Sequence, residues 1–196
     1  MIIAFTLLFI TASPAFLAAQ FLDQFEVHVS SKQIPEERFK EVYNRENMFG
    51  GGFSLTVNIK EFKFSESLSL GVKGVAGLDY FSKKGKMTLS EEPLKLDLIY
   101  PSVGAQVVIK IKKIVEVYGR AGLGPCFYKE KFLNDRLENV SGSNLETYLG
   151  GGLIIHFSAK YSAVLDFKQT KLTADPSGVP LQLGGPRFSV GLGYDF

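Results

Sequence analysis

The sequence predicts an all-β fold, an eight-stranded antiparallel up-and-down transmembrane β-barrel, and three observations predict it. Stretches of 8–13 residues alternate apolar and polar side chains. The joins between these stretches are short and long by turns, and the charges within them fall almost wholly on one face. A period of two marks a strand whose two faces meet different surroundings. Short turns on one rim and long joins on the other are the pattern of a barrel threaded through a membrane.

Composition bounds the alternatives. The chain has 196 residues, 45% hydrophobic and 21% charged, with net charge +2. A disordered chain holds fewer large apolar residues, and a single cysteine, Cys126, makes no disulfide scaffold. Mixed charge near neutrality leaves no polycationic footprint, so no nucleic-acid partner is expected. Residues 1–20 carry no charge, and the apolar run 2–10 followed by Pro14 and small residues reads as a secretory signal. The signal is expected at 1–19, cleaved after Ala15 or Ala19, with residues 20–196 forming one barrel domain. Export agrees with an inert thiol at Cys126. No other segment has the ~18 consecutive apolar residues of a spanning helix.

The strands follow in order. Over 21–29, Phe25, Val27 and Val29 alternate with Gln24, Glu26 and His28; over 53–60, Phe53, Leu55, Val57 and Ile59 alternate with Ser54, Thr56 and Lys60. Over 68–80, Leu68, Leu70, Val72, Ala76 and Leu78 oppose Ser69, Gly71, Lys73 and Asp79. Over 99–111, Ile99, Val103, Val107 and Ile109 oppose Ser102, Gln106 and Lys110. Over 115–127, Val117, Ala121 and Leu123 oppose Glu116, Tyr118, Arg120 and Cys126. The last three strands, 147–157, 161–168 and 186–196, set Leu149, Leu165 and Leu192 against Gly150, Asp166 and Arg187. The joins 61–67, 112–114 and 158–160 are short, whereas 30–52, 81–98, 128–146 and 169–185 are long. An even strand count puts both chain ends at the short-turn rim.

Charge placement orients the faces. Lys60, Lys73, Lys110, Arg120, Lys168 and Arg187 share the Gly-rich face with Glu26, Asp79, Glu116, Asp166 and Asp195; Asp23 at the first strand's start is the exception. A charge facing lipid at mid-depth costs ~2–4 kcal/mol, so the charged face is placed inside and the apolar face in hydrocarbon. The lumen of an eight-stranded barrel is just wide enough for its own side chains, which excludes a general diffusion pore. The three-residue turn at 112–114 sets Lys110 opposite Glu116 and Gln106 opposite Arg120. A lumenal polar network of Lys73, Lys110, Glu116, Tyr118, Arg120, Asp166, Lys168 and Arg187 is therefore expected. Two aromatic girdles follow from the threading: Phe53, Tyr80, Tyr100, Phe127 and Tyr148 at the loop rim, and Phe21, Phe62, Phe157, Tyr161, Tyr194 and Phe196 at the turn rim.

Little in the sequence points to a reaction, and no catalytic residue, cofactor or metal is expected. Of the two histidines, His28 threads near the loop end and His156 near the turn end, so they share no site. Glu26, Ser30 and Ser31 beside His28 lie along an extended strand, which does not converge them, and His28 reads as a lumenal polar residue. One cysteine and two distant histidines have no metal-ligand spacing. The glycine triplets at 50–52 and 150–152 precede no Gly-Lys-Ser/Thr and read as room for facing side chains. In the first long join, 34–47 reads as a short helix with Pro35 in its first turn and no apolar stripe, a solvated excursion. In the second, Lys83, Lys84, Lys86 and Lys95 could meet lipopolysaccharide phosphates, largely offset by Glu91, Glu92 and Asp97.

The terminal run Ser189-Val190-Gly191-Leu192-Gly193-Tyr194-Asp195-Phe196, with the topology over roughly 20–196, resembles the small outer-membrane barrels of the OmpA transmembrane-domain, OmpX and OmpW type. The resemblance implies a bacterial outer-membrane location and an assembly signal in Ser189, Gly191, Tyr194 and Phe196, read by the barrel-assembly machinery through strand pairing. It also implies a monomer in contact with outer-membrane lipid and lipopolysaccharide, an external partner for the long joins, and no periplasmic domain after Phe196. The missing basic n-region and the absence of Trp depart from the pattern. The expected function is non-enzymatic, structural or loop-mediated binding. The alternatives are an OmpW-like conduit for small hydrophobic molecules opening through the wall, a lipid A enzyme, and a soluble lipid-binding barrel.

Overall fold

A computed structural model describes residues 22–86, 92–112, 114–132, 139–174 and 181–196. The expected leader at 1–19, Phe21 of the turn-side girdle and Glu91 lie outside them. The alternating stretches pair into strands β1 (Leu22–Gln33), β2 (Asn47–Ser65), β3 (Leu68–Lys86), β4 (Pro93–Ile111), β5 (Val115–Phe132), β6 (Val140–His156) and β7 (Tyr161–Lys171). A small ladder of β8 (Thr173–Ala174) and β9 (Leu181–Gln182) precedes β10 (Gly185–Asp195), and one helix, α1 (Glu37–Tyr43), lies between β1 and β2. The ring order β1-β10-β7-β6-β5-β4-β3-β2 closes an eight-stranded antiparallel barrel, with first and last strands paired from Gln24↔Asp195 to Lys32↔Arg187. Closure removes the sheet edges that an open sheet would expose.

Each strand keeps one face in and one face out. Val29 is 69% and Leu192 65% exposed on the exterior, while Gln24, Gln106 and Ser162 are buried. Water would reverse that arrangement, because apolar area left exposed forfeits its burial free energy. Lipid favours it. The register sets Lys110 opposite Glu116 and Gln106 opposite Arg120, both on the inner face.

Three expectations are corrected. The joins at 81–98 and 128–146 are mostly strand, and the join at 30–52 is strand at both its ends: β1 runs on to Gln33, β2 starts at Asn47, and β3 to β6 extend well beyond the loop-side rim. Above that rim the exterior meets water, so the apolar residues move inside. Met48, Phe81, Leu94, Leu96 and Leu98 are buried there, whereas Lys84 and Lys129 are exposed. A pattern sought as apolar-out ends where the solvent changes, although the strand does not. Second, Tyr100 and Tyr148 are buried and point inward, as their parity with Ser102 and Gly150 requires, so they are not girdle residues. Phe53, Tyr80 and Phe127 remain exposed at that rim, and at the other rim Phe157, Tyr161, Tyr194 and Phe196 form a chain of ring contacts at 5.4–6.4 Å. Third, an irregularity between Asn58 and Lys60 changes the phase of β2. It leaves Lys60 exposed over the Phe62 ring at 4.8 Å rather than in the lumen.

The inward glycines give the lumen its working width. A Cβ on Gly122 would stand 2.4 Å from the Tyr148 hydroxyl oxygen, and one on Gly152 would stand 2.6 Å from that of Tyr118. Neither phenol could enter so narrow a barrel if the facing strand carried a side chain.

Candidate functional site

The lumen is filled in layers by inward residues of all eight barrel strands. Nearest the turns, Glu116 gathers Lys73 (2.9 Å), Lys110 (3.1 Å) and His156 Nε2 (3.2 Å). Lys73 also reaches Asp23 at 2.6 Å, and His156 Nδ1 reaches Asp195 at 2.9 Å. A cavity of about 890 Å³ opens below this cluster to the turn-side mouth. In the next layer Arg120 pairs with Asp166 at 2.7 Å, the Tyr118 hydroxyl donates to Asp166 at 3.0 Å, and Lys168 stands 3.5 Å from the same carboxylate. Val108, Ile154 and Val164 make a small apolar wedge against Tyr118.

Further toward the loops, His28 Nε2 lies 2.6 Å from Asp79 and Nδ1 3.1 Å from Glu26, and Arg187 pairs with Asp79 at 2.9 Å. His28 therefore sits mid-barrel, not near the loop end as expected, because β1 continues to Gln33. The Ser30 hydroxyl bonds that of Ser189 at 2.7 Å, and both ring nitrogens of His28 face carboxylates, so no Ser–His pair forms. Among the described residues no group of three or more His, Cys, Asp or Glu side chains is placed to hold a metal ion.

Above these layers, Lys32 is fully buried, 2.6 Å from Glu146 and 3.0 Å from the Tyr100 hydroxyl. This pair was missed because both residues lay in joins read as loops. The period of two that carries Glu26, His28 and Ser30 inward, continued by one step, gives Lys32; one step back from Tyr148 gives Glu146. Among the described residues the buried set holds five cations (Lys32, Lys73, Arg120, Lys168, Arg187) and five carboxylates (Glu26, Asp79, Glu116, Glu146, Asp166). A neutral set suits a narrow lumen, where an uncompensated charge costs several kcal/mol.

The outer end is closed by α1. Glu36 precedes it in extended conformation, which puts Pro35 outside the first turn, and Asn44 ends it in the left-handed region at φ 59°. Phe39 and Tyr43, one turn apart, stack at 4.5 Å and are buried against Ile34, Met48, Phe81 and Leu98. Two aromatics at i and i+4 suffice for a seven-residue helix to cap the barrel, so 34–47 is not a solvated excursion. The Tyr43 hydroxyl donates to Glu130; burial, then the Glu130 charge, raises the phenol well above its usual range and keeps it a donor.

On the outer wall just above the rim, Asp97 accepts from Lys95 (2.9 Å) and the Tyr80 hydroxyl (2.7 Å) and stands 3.4 Å from Lys131. Partial burial would raise this carboxyl, but these donors outweigh it and hold it below the ordinary carboxylate range.

No family model matches the sequence, and no curated protein matches it. Solved structures do match. The attachment invasion locus protein Ail of Yersinia pestis, in complex with the heparin analogue sucrose octasulfate, aligns at 18% identity and TM-score 0.53 over 90% of this chain and 99% of that one. Ail crystallised without that compound aligns at 19% identity and TM-score 0.52, with the same shares. Neisserial surface protein A (NspA) aligns at 11% identity and TM-score 0.56, over 88% of this chain and 96% of that one. At such identities the likeness is one of fold. Together with the strand order and register, it shows that this chain shares the eight-stranded β-barrel fold of these outer-membrane proteins.

Proposed function

We propose that the protein is a non-enzymatic outer-membrane barrel, closed along its axis, that acts through its folded outer extension rather than by passing solute. The observation that carries this reading is the double closure. Phe39 and Tyr43 of α1 are buried in the outer mouth, and the layers from Lys32–Glu146 to Glu116 occupy the space beneath. Lys73, Lys110, Glu116, Tyr118, Arg120, Asp166, Lys168 and Arg187 then serve to hold the lumen shut and the strands in register. Ser189, Gly191, Tyr194 and Phe196 serve assembly: the first two are buried on the inner face of β10, and Tyr194 and Phe196 pack ring to ring at the turn-side rim. The closed ring has no free strand edge, which favours a monomer surrounded by lipid.

Full-length chain refolded into planar bilayers is expected to give no stable conductance steps in either polarity. A steady open current that persists in the absence of detergent contradicts the closed-barrel reading and favours a conduit.

A further inference from the structure

The ladder between β4 and β5 is interrupted once. It runs from Leu94↔Phe132 to Ile99↔Phe127 and again from Val103↔Leu123 to Ile111↔Val115, with no pairing over 100–102 and 124–126. Equal lengths of chain lie in the gap, so Pro101 stands opposite Pro125. An antiparallel ladder exchanges two N–H···O bonds at every second pair. Loss of both bonds at one such pair removes that pair and its two neighbours, which is the gap observed, and neither proline nitrogen carries a hydrogen to give. Each strand keeps its other neighbour: Tyr100, Pro101 and Ser102 pair with Asp79, Leu78 and Gly77, and Gly124, Pro125 and Cys126 with Glu146, Leu145 and Asn144. The irregularities of β2 insert a residue, whereas this one keeps register and drops bonds. The gap lies in the wall that faces lipid. Pro125 is exposed, Pro101 half-buried, and the flanking Ile99, Val103, Leu123 and Phe127 are exposed apolar residues. On the inner face at the same height, Tyr100 and Cys126 are buried with Leu98 and Tyr128 in the apolar cluster beneath α1.

We infer that the barrel wall parts locally between β4 and β5 at Pro101 and Pro125, and that a hydrocarbon chain of the bilayer then enters the slit and reaches Tyr100 and Cys126. The inference goes beyond the closed-axis reading and concerns the wall alone. A proline within a sheet is ordinarily confined to edges and bulges, where its missing donor costs little. Two face to face in hydrocarbon, where no water replaces the lost bonds, mark a place held at a cost. The flanking pairs are four residue steps apart, about 14 Å along a strand, and over that length the strands separate without breaking a ladder bond. The ladders above and below confine the opening to a slit, so the barrel does not unzip. Gly124 keeps the slit narrow at rest, because a Cβ there would run into the Pro101 carbonyl oxygen. The occupant is apolar, since Ile99, Val103, Leu123 and Phe127 bound the slit from outside and the Tyr100 ring and Cys126 thiol are the first groups met within.

Cys126 is the chain's single cysteine and reports directly on the opening. Full-length chain in phospholipid nanodiscs is treated with a maleimide carried on an alkyl chain, which dissolves in the bilayer, and separately with a sulfonated maleimide, which stays in water. Intact mass counts the adduct. The wild-type thiol is expected to react with the alkyl reagent and far more slowly with the sulfonated one. Pro101→Val with Pro125→Val supplies both missing donors and is expected to slow the alkyl reaction by about tenfold or more, the effect of two ladder bonds on a local opening. Pro125→Val alone supplies one donor and should fall between. Asp166→Ala, which weakens the barrel as a whole away from the slit, should leave the alkyl rate within about threefold of wild type. An alkyl rate unchanged in the double variant overturns the inference. So does sulfonated labelling as fast as alkyl labelling, which means that the thiol is reached from water. A rise in Asp166→Ala matching that variant's loss of stability overturns it as well, because global unfolding then exposes the thiol. Retained heat-modifiable gel mobility verifies folding of the variants. Bilayer conductance of the same protein separates the two readings, since an axial current sinks the closed barrel without altering the proline dependence.

Discussion

Asp166→Ala is expected to destabilise the barrel by about 3–5 kcal/mol, the cost of leaving a buried cation without its partner. Asp166 and Arg120 are 2% and 4% exposed, and the same carboxylate accepts the Tyr118 hydroxyl and lies nearest to Lys168. Its removal strands three donors in a space sealed above by His28, Asp79 and Arg187 and below by the Val108–Ile154–Val164 wedge. Equilibrium urea unfolding in phospholipid vesicles measures the loss. The double replacement Arg120→Met with Asp166→Leu should recover most of it, because removing both charges together also removes their desolvation cost. A single-variant loss below about 1 kcal/mol would mean that water reaches this layer, and that the lumen is wetter and more open than described.

The second large effect concerns the opposite face of the same strand. Arg120 is accommodated because it points inward; Ala121, its neighbour, is exposed on the exterior near the middle of the apolar belt. Ala121→Arg is expected to cost about 2–4 kcal/mol in the same vesicles, the penalty for a guanidinium at the bilayer midplane. A step of one residue reverses the side of the sheet, so the contrast isolates orientation from composition and secondary structure. An arginine placed at Lys129, above the belt, should change stability by less than 1 kcal/mol, because it keeps the charge in water. Equal effects at positions 121 and 129 would remove the basis for placing the belt where it is.

Much of this architecture was legible in the sequence because two simple constraints act together. Strand parity is fixed at two, and a lipid-facing charge is costly, so a handful of charged residues orients every ribbon. A three-residue turn then sets Lys110 against Glu116 and Arg120 against Gln106 without further information. What escaped the sequence lies where one of those constraints changes. Beyond Tyr80 and Phe127 the exterior is water, so Leu94, Leu96 and Leu98 bury inward while Lys95 and Asp97 stay outside. A rule seeking apolar residues outside loses the strand at that height, and Lys32 and Glu146 were lost with it. At Asn58–Lys60 the ladder shifts, and parity carried through the shift put Lys60 on the wrong face. The burial of α1 was not legible either: Phe39 and Tyr43 are only two apolar anchors, and nothing local to 34–47 says that a closed ring of strands stands ready to receive them.

The most direct measurement of the face assignment requires no substitution, because both faces carry methyl groups. In nanodiscs, nuclear Overhauser contacts between lipid acyl-chain protons and protein methyls are predicted for Val103, Leu123, Leu153 and Leu192, and none for Val108, Ile154 or Val164. Contacts from the second set, with the first set in exchange with water, would contradict the account and make the chain a water-soluble barrel with an oily interior.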